Sequence, residues 1–143
     1  MDAAKRADYS DGMTPSPPAL KIKLQIYCGT EIAMGPGKAD LLEAIVQRGS
    51  ISAAGRALGM SYRRAWLLVD TMNRCWNAPL VTTASTGADV SPLGISVLNC
   101  YRALQAHVAT AGLSPDWLVL QESLMTAPLK HQTNGQNAAT PEL

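Results

Sequence analysis

From Leu20 to Tyr27 the chain alternates, with Leu20, Ile22, Leu24 and Ile26 separated by Lys21, Lys23 and Gln25. This period-2 pattern predicts a strand over 20–27 with one buried face. "GPG" (35–37) reads as the turn that ends the next connection, and from Lys38 the period changes. Leu41, Leu42, Ile45 and Val46 share one face of a helix that closes at Gly49. Ser50 follows as the N-cap of a short second helix with Ile51, Ala54 and Leu58 on its inner face, and Gly59 takes the C-terminal position where positive φ costs least. Ser61 caps a third helix, about 61–76, whose buried stripe is Ala65, Leu68 or Val69, Met72 and Trp76.

Beyond that helix, "APLVTTAS" (78–85) reads as a strand, "TGAD" (86–89) as a turn and Val90 as the start of a return strand. Ser91 and Pro92 are the favoured N-cap and first residue of a long helix, about 92–110, carrying Leu93, Val97, Leu98, Tyr101, Leu104 and Val108. Residues 1–18 are small, polar and proline-rich, as in a disordered leader. The predicted organisation is that leader, a folded domain over 19–111, and a segment over 112–143 with one apolar patch, "WLVLQESLM" (117–125), and a flexible tail. The expected fold class is mainly α with a small β wing, a winged helix-turn-helix followed by a C-terminal dimerisation helix, about 92–110. Two helices joined by so short a turn match the unit whose second helix enters a DNA major groove.

Composition sets bounds. The 143 residues, 47% hydrophobic, suffice for one modest core. The formal charge of +1 hides an uneven distribution: Pro36 to Trp76 holds six basic residues (Lys38, Arg48, Arg56, Arg63, Arg64, Arg74) and three acidic ones (Asp40, Glu43, Asp70). Cys28, Cys75 and Cys100 are too few and too scattered for a disulfide framework or a metal knuckle. No apolar run approaches the roughly 18 residues of a membrane helix, and the N-terminus lacks a signal-peptide core, so a cytoplasmic location without membrane contact is expected. His107 and His131 are isolated, and "GPGK" lacks Walker spacing. Neither an enzyme nor a bound cofactor or metal is expected.

The residues from Gly35 to Asn73, "GPGKADLLEAIVQRGSISAAGRALGMSYRRAWLLVDTMN", resemble the N-terminal DNA-binding domain of the ModE family of molybdate-responsive transcription regulators, a winged helix-turn-helix related more distantly to the LysR type. The likeness continues through "PLV" (79–81) and, more weakly, "VSPLGISVLNCYRAL" (90–104). It implies a homodimeric regulator of double-stranded DNA whose recognition helix begins at Ser61 and presents Tyr62, Arg63 and Arg64. In this family the wing is typically rich in glycine and basic residues; here "TTASTGAD" is shorter and carries Asp89. The family's oxyanion-binding domain is not expected in this chain, so molybdate sensing does not carry over.

The candidate DNA contacts are Lys38, Ser50, Ser52, Arg56, Ser61, Tyr62, Arg63 and Arg64. Arginine's planar fork suits guanine O6 and N7 or a phosphate, although a solvated helix face also accounts for two surface arginines. Tyr62 has two readings, a hydroxyl donated to phosphate or a cover over the helix start. Ser50 and Ser52 offer hydroxyls near a helix N-terminus, and capping alone explains at least one of them. Lys38 and Arg56 are phosphate anchors or solubilising charges. Trp66 is expected to pack against the first helix, and Arg74 to complement its own helix dipole. The alternative function is a protein-interaction module of the same fold that modulates another regulator, such as a full-length relative, with the acidic wing as its evidence.

Overall fold

The computed structural model describes residues 18–131. The leader expected over 1–18, apart from Pro18, and the tail from 132 onward lie outside the described residues. One compact unit spans Lys21–Ala111. It opens with a hairpin, β1 (Ile26–Cys28) antiparallel to β2 (Glu31–Met34). The strand predicted over 20–27 is thus corrected to its last residues. A ladder needs a partner, and β2 supplies only four residues before Gly35 caps the first helix, so residues 20–25 have nothing to pair with. The alternation still records burial in part: Leu24 and Ile26 pack on the core, whereas Leu20 and Ile22 stay exposed.

Helix α1 (Pro36–Arg48) starts inside the predicted turn, with extended Gly35 as N-cap and Pro36 at the first helical position. Its buried stripe centres on Leu41, Leu42 and Ile45. Val46, expected on that face, is exposed. Gly49 ends α1 in the left-handed region, φ 78°, and donates its N–H to the Ile45 carbonyl.

Helix α2 (Ile51–Ala57) and helix α3 (Tyr62–Cys75) form the helix-turn-helix. Ile51 and Ala54 are buried as predicted. Leu58 is not: the helix ends at Ala57, Leu58 leaves the period as its C-cap, and Met60 packs against the core instead. The turn closes at Gly59, φ 73°, while Met60 N–H bonds the Gly55 carbonyl. A side chain on Gly55 would press on the Ala65 methyl at 3.2 Å, so the two helices meet closely at this small pair. In α3, Ala65, Val69 and Met72 are buried, Leu68 is half-buried, and Trp76 caps the end with its indole N–H on the Ala33 carbonyl at 3.2 Å.

The wing is the hairpin of β3 (Val81–Ala84) and β4 (Gly87–Val90), in register Val81↔Val90 to Ala84↔Gly87. The turn is Ser85–Thr86, shorter than the predicted 86–89, because Ala88 already faces inward and its N–H bonds the Gly49 carbonyl at 2.8 Å. Asp89 therefore lies on the return strand opposite Thr82. Ser91 caps α4 (Pro92–Ala109), accepting from the Gly94 N–H at 3.0 Å. Leu98 and Tyr101 of α4 join the core, the Tyr101 hydroxyl donating to the Leu24 carbonyl at 2.8 Å. Residues 18–20 and 112–131 fall in a second unit, where α5 (Pro115–Ser123) exposes Leu118, Val119 and Leu120.

Gly94 is where the wing and α4 meet most closely. A methyl group there would run into the Leu80 carbonyl oxygen and the Val90 Cγ1. Gly94→Ala is expected to destabilise the fold by about 2 kcal/mol despite alanine's higher helix propensity, an overpacking cost that urea unfolding measures directly.

Candidate nucleic-acid interface

Ser61 sets the start of α3: its Oγ accepts from the Arg64 N–H at 3.1 Å, and its carbonyl accepts from Ala65 N–H at 3.0 Å. Fully buried Ala65 then fixes how the helix is rotated. Tyr62, Arg63 and Arg64 consequently occupy the exposed first turn of α3. Neither arginine forms an ion pair among the described residues.

The other candidates divide by what their polar atoms already do. Ser50 Oγ is occupied as an N-cap, accepting from the Ala53 N–H at 3.0 Å. Ser52 Oγ accepts from the Arg56 guanidinium at 2.8 Å, which leaves the other guanidinium nitrogens of this exposed pair free to donate. Lys38 lies in the first turn of α1, close enough to Arg64 to feel its charge. Burial above all holds the Lys38 ammonium below the ordinary lysine value; Arg64 adds to that, against opposing pulls from Cys75 and Glu31.

Trp66 departs from expectation. It is 39% exposed, and its indole N–H donates to the Tyr62 hydroxyl at 2.6 Å one turn back along the same helix. Arg74 does more than face the helix dipole, pairing with Asp70 at 2.9 Å and with Glu31 at 3.3 Å. Cys75 has its thiol pKa raised, first by burial and then by hydrogen bonding to Cys28, the opposite of an activated thiolate.

The electrostatic outcome depends on the acids. The unit Lys21–Ala111 carries nine Lys and Arg against five Asp and Glu. Arg102 holds Asp40 at 2.8 Å and Glu43 at 2.7 Å, while Arg74 holds Asp70 and Glu31. Four of the five acids are therefore neutralised locally, and Asp89 alone among this unit's acids has no cation partner among the described residues. Asp40 and Asp70, two of the three acids in the basic stretch from Pro36 to Trp76, are thus each held by an arginine.

Two features escaped sequence reading. Asn73 Oδ1 accepts from the N–H groups of Leu80 (2.9 Å) and Val81 (3.0 Å), and its Nδ2 donates to the Val81 carbonyl at 3.0 Å, tying the end of α3 to the first wing strand. No local signal marks this residue, because its partners lie seven and eight positions away. The Tyr62–Trp66 pair does have a signal in its i,i+4 spacing.

Among curated proteins, the molybdenum-pterin-binding protein MopB of Rhodobacter capsulatus is 42% identical over 85 residues, 56% of this chain and 32% of MopB. The molybdenum transport protein ModE of Azotobacter vinelandii is 32% identical over 104 residues, 69% of this chain and 38% of that protein. Over the matched residues the chain is similar to these two proteins, and its described residues form a winged helix-turn-helix. It spans about a third of the length of these two relatives. No family model matches the chain. Among solved structures, the CbnR_DBD-DNA complex aligns with it at a TM-score of 0.47 and 16% identity, covering 53% of this chain and 87% of that one. No helix among the described residues is long and apolar enough to cross a membrane.

Proposed function

We propose that this chain is a sequence-specific DNA-binding transcription regulator acting as a homodimer, with α3 as the recognition helix in the major groove. The observation that carries the reading is the exposed, unpaired Arg63–Arg64 turn on a unit whose neighbouring acids are held by Arg74 and Arg102. Arg63 and Arg64 read base edges or clamp phosphate, Arg56 and Lys38 hold flanking backbone, and the capping serines set the helix N-termini toward the duplex. The domain over 19–111 carries this activity. Within it, α4 is the dimer element, exposing Ile95 and Leu104 while burying only Gly94, Leu98 and Tyr101. Two copies would present recognition helices about 34 Å apart, one turn of DNA, to a pseudo-palindromic site.

The test is selection of random-sequence duplexes with the purified chain, followed by titration at two salt concentrations. A two-fold-related motif should emerge, and log K should fall against log salt with a slope of about −0.9 for each phosphate contact. Recovery of no motif from a folded sample at low salt would refute the reading.

One observation favours a second reading. The wing presents Thr82, Thr83 and an unpaired Asp89, with no basic residue to meet a phosphate. On that reading the chain is an interaction module that tunes another regulator, such as a full-length relative, and shows no salt-dependent DNA binding.

A further inference from the structure

We infer that Trp66 is a positioning residue for DNA recognition: its indole N–H fixes the Tyr62 phenol so that the phenol's own proton turns outward, toward a hydrogen-bond acceptor on the nucleic acid. The inference rests on the DNA-binding reading above and adds to it a residue and a ligand chemistry.

The direction of the hydrogen bond is forced by chemistry. An indole nitrogen can only donate, so across the 2.6 Å contact the phenol oxygen must accept. The phenol proton cannot lie along that line, and the Tyr62 hydroxyl has no other partner among the described residues. Tyr62 and Trp66 stand one turn apart, both substantially exposed at 56% and 39%. Ser61 and Ala65 lock the start and rotation of the helix beneath them.

Two consequences favour donation to DNA. Accepting from the indole polarises the phenol and strengthens it as a donor. Holding the ring in place also removes rotamer entropy that binding would otherwise have to overcome. The matching groups on DNA are acceptors, a phosphate oxygen or a base acceptor such as purine N7; amino groups such as cytosine N4 do not match. A purely structural role would instead be an i,i+4 pair that steadies the helix and leaves DNA affinity unchanged.

A double-mutant cycle on the full chain separates these, using Tyr62→Phe, Trp66→Phe and the double variant against the selected duplex and a random-sequence duplex. A further variant carries β-(3-benzothienyl)alanine in place of Trp66, keeping the ring's shape without its N–H. Each single variant and the analogue should bind the selected duplex about fivefold more weakly, the size of one net hydrogen bond, with the double variant no weaker than Tyr62→Phe. Equal losses on both duplexes identify a phosphate acceptor; a loss confined to the selected one identifies a base. Additive losses, or an analogue that binds like the parent chain, would overturn the inference and leave the DNA-binding reading intact. Failure of the parent chain to bind DNA removes both, and it shows before any variant is made.

Discussion

Replacing Arg63 and Arg64 together by alanine is expected to remove specific DNA binding while leaving the fold in place. Both side chains are exposed, neither has an ion-pair partner among the described residues, and the Ser61 cap uses the backbone N–H of Arg64, which alanine retains. Stability should therefore change by no more than about 0.5 kcal/mol, the ordinary range for surface substitutions. Binding should suffer far more. Two base or phosphate contacts worth about 2 kcal/mol each amount to a loss on the order of a thousandfold. Titration of the selected duplex alongside a thermal melt checks both halves, and a folded variant with undiminished affinity would show that α3 does not read DNA. The single variants assign roles: a base-reading arginine relaxes preference at one position, whereas a phosphate-binding one weakens all sequences alike and flattens the salt slope by about one.

The largest effect on stability is expected at Asn73. Its side chain serves two backbone donors and one acceptor at Leu80 and Val81, which are essentially buried, so Asn73→Ala strands polar groups that water cannot easily reach. Each buried group left unsatisfied costs about 1–3 kcal/mol, and with partial rehydration the total should come to about 3 kcal/mol. Asn73→Asp keeps the acceptor but loses the donor to the Val81 carbonyl, and should fall between the two in chemical denaturation. Because this bridge joins α3 to β3, loss of wing order before global unfolding is expected in hydrogen exchange, with the β3 and β4 amides losing protection first. Protection that vanishes uniformly would mean that the bridge stabilises the whole unit rather than the wing.

Much of the site was legible because its determinants are local. The Ser61 cap, the Gly59 turn and the stripe Ala65, Val69, Met72 are set by residues within one or two turns of each other, so periodicity and capping chemistry place Arg63 and Arg64 on the outside correctly. The same holds for Ser50 as a cap and for Ser91 and Pro92 at the start of α4. Two of the readings that failed depended on partners distant in sequence. Alternation over 20–27 recorded the burial of Leu24 and Ile26 but not the exposure of Leu20 and Ile22, and the number of residues that pair is fixed by the length of β2. The wing turn was read too long because inward burial of Ala88 depends on the Gly49 carbonyl, 39 positions earlier.

Charge divides the same way. The sequence by itself determined the helix-turn-helix, its caps and the basic excess around it, because helical period and capping act over three or four residues. Only the tertiary structure decided which charges remain free: Arg102 reaches α1 from α4 to hold Asp40 and Glu43, and Arg74 reaches β2 to hold Glu31, pairings of 62, 59 and 43 positions that no local pattern encodes. Such pairings form when elements pack, and they leave the basic first turn of α3 without an ion-pair partner among the described residues.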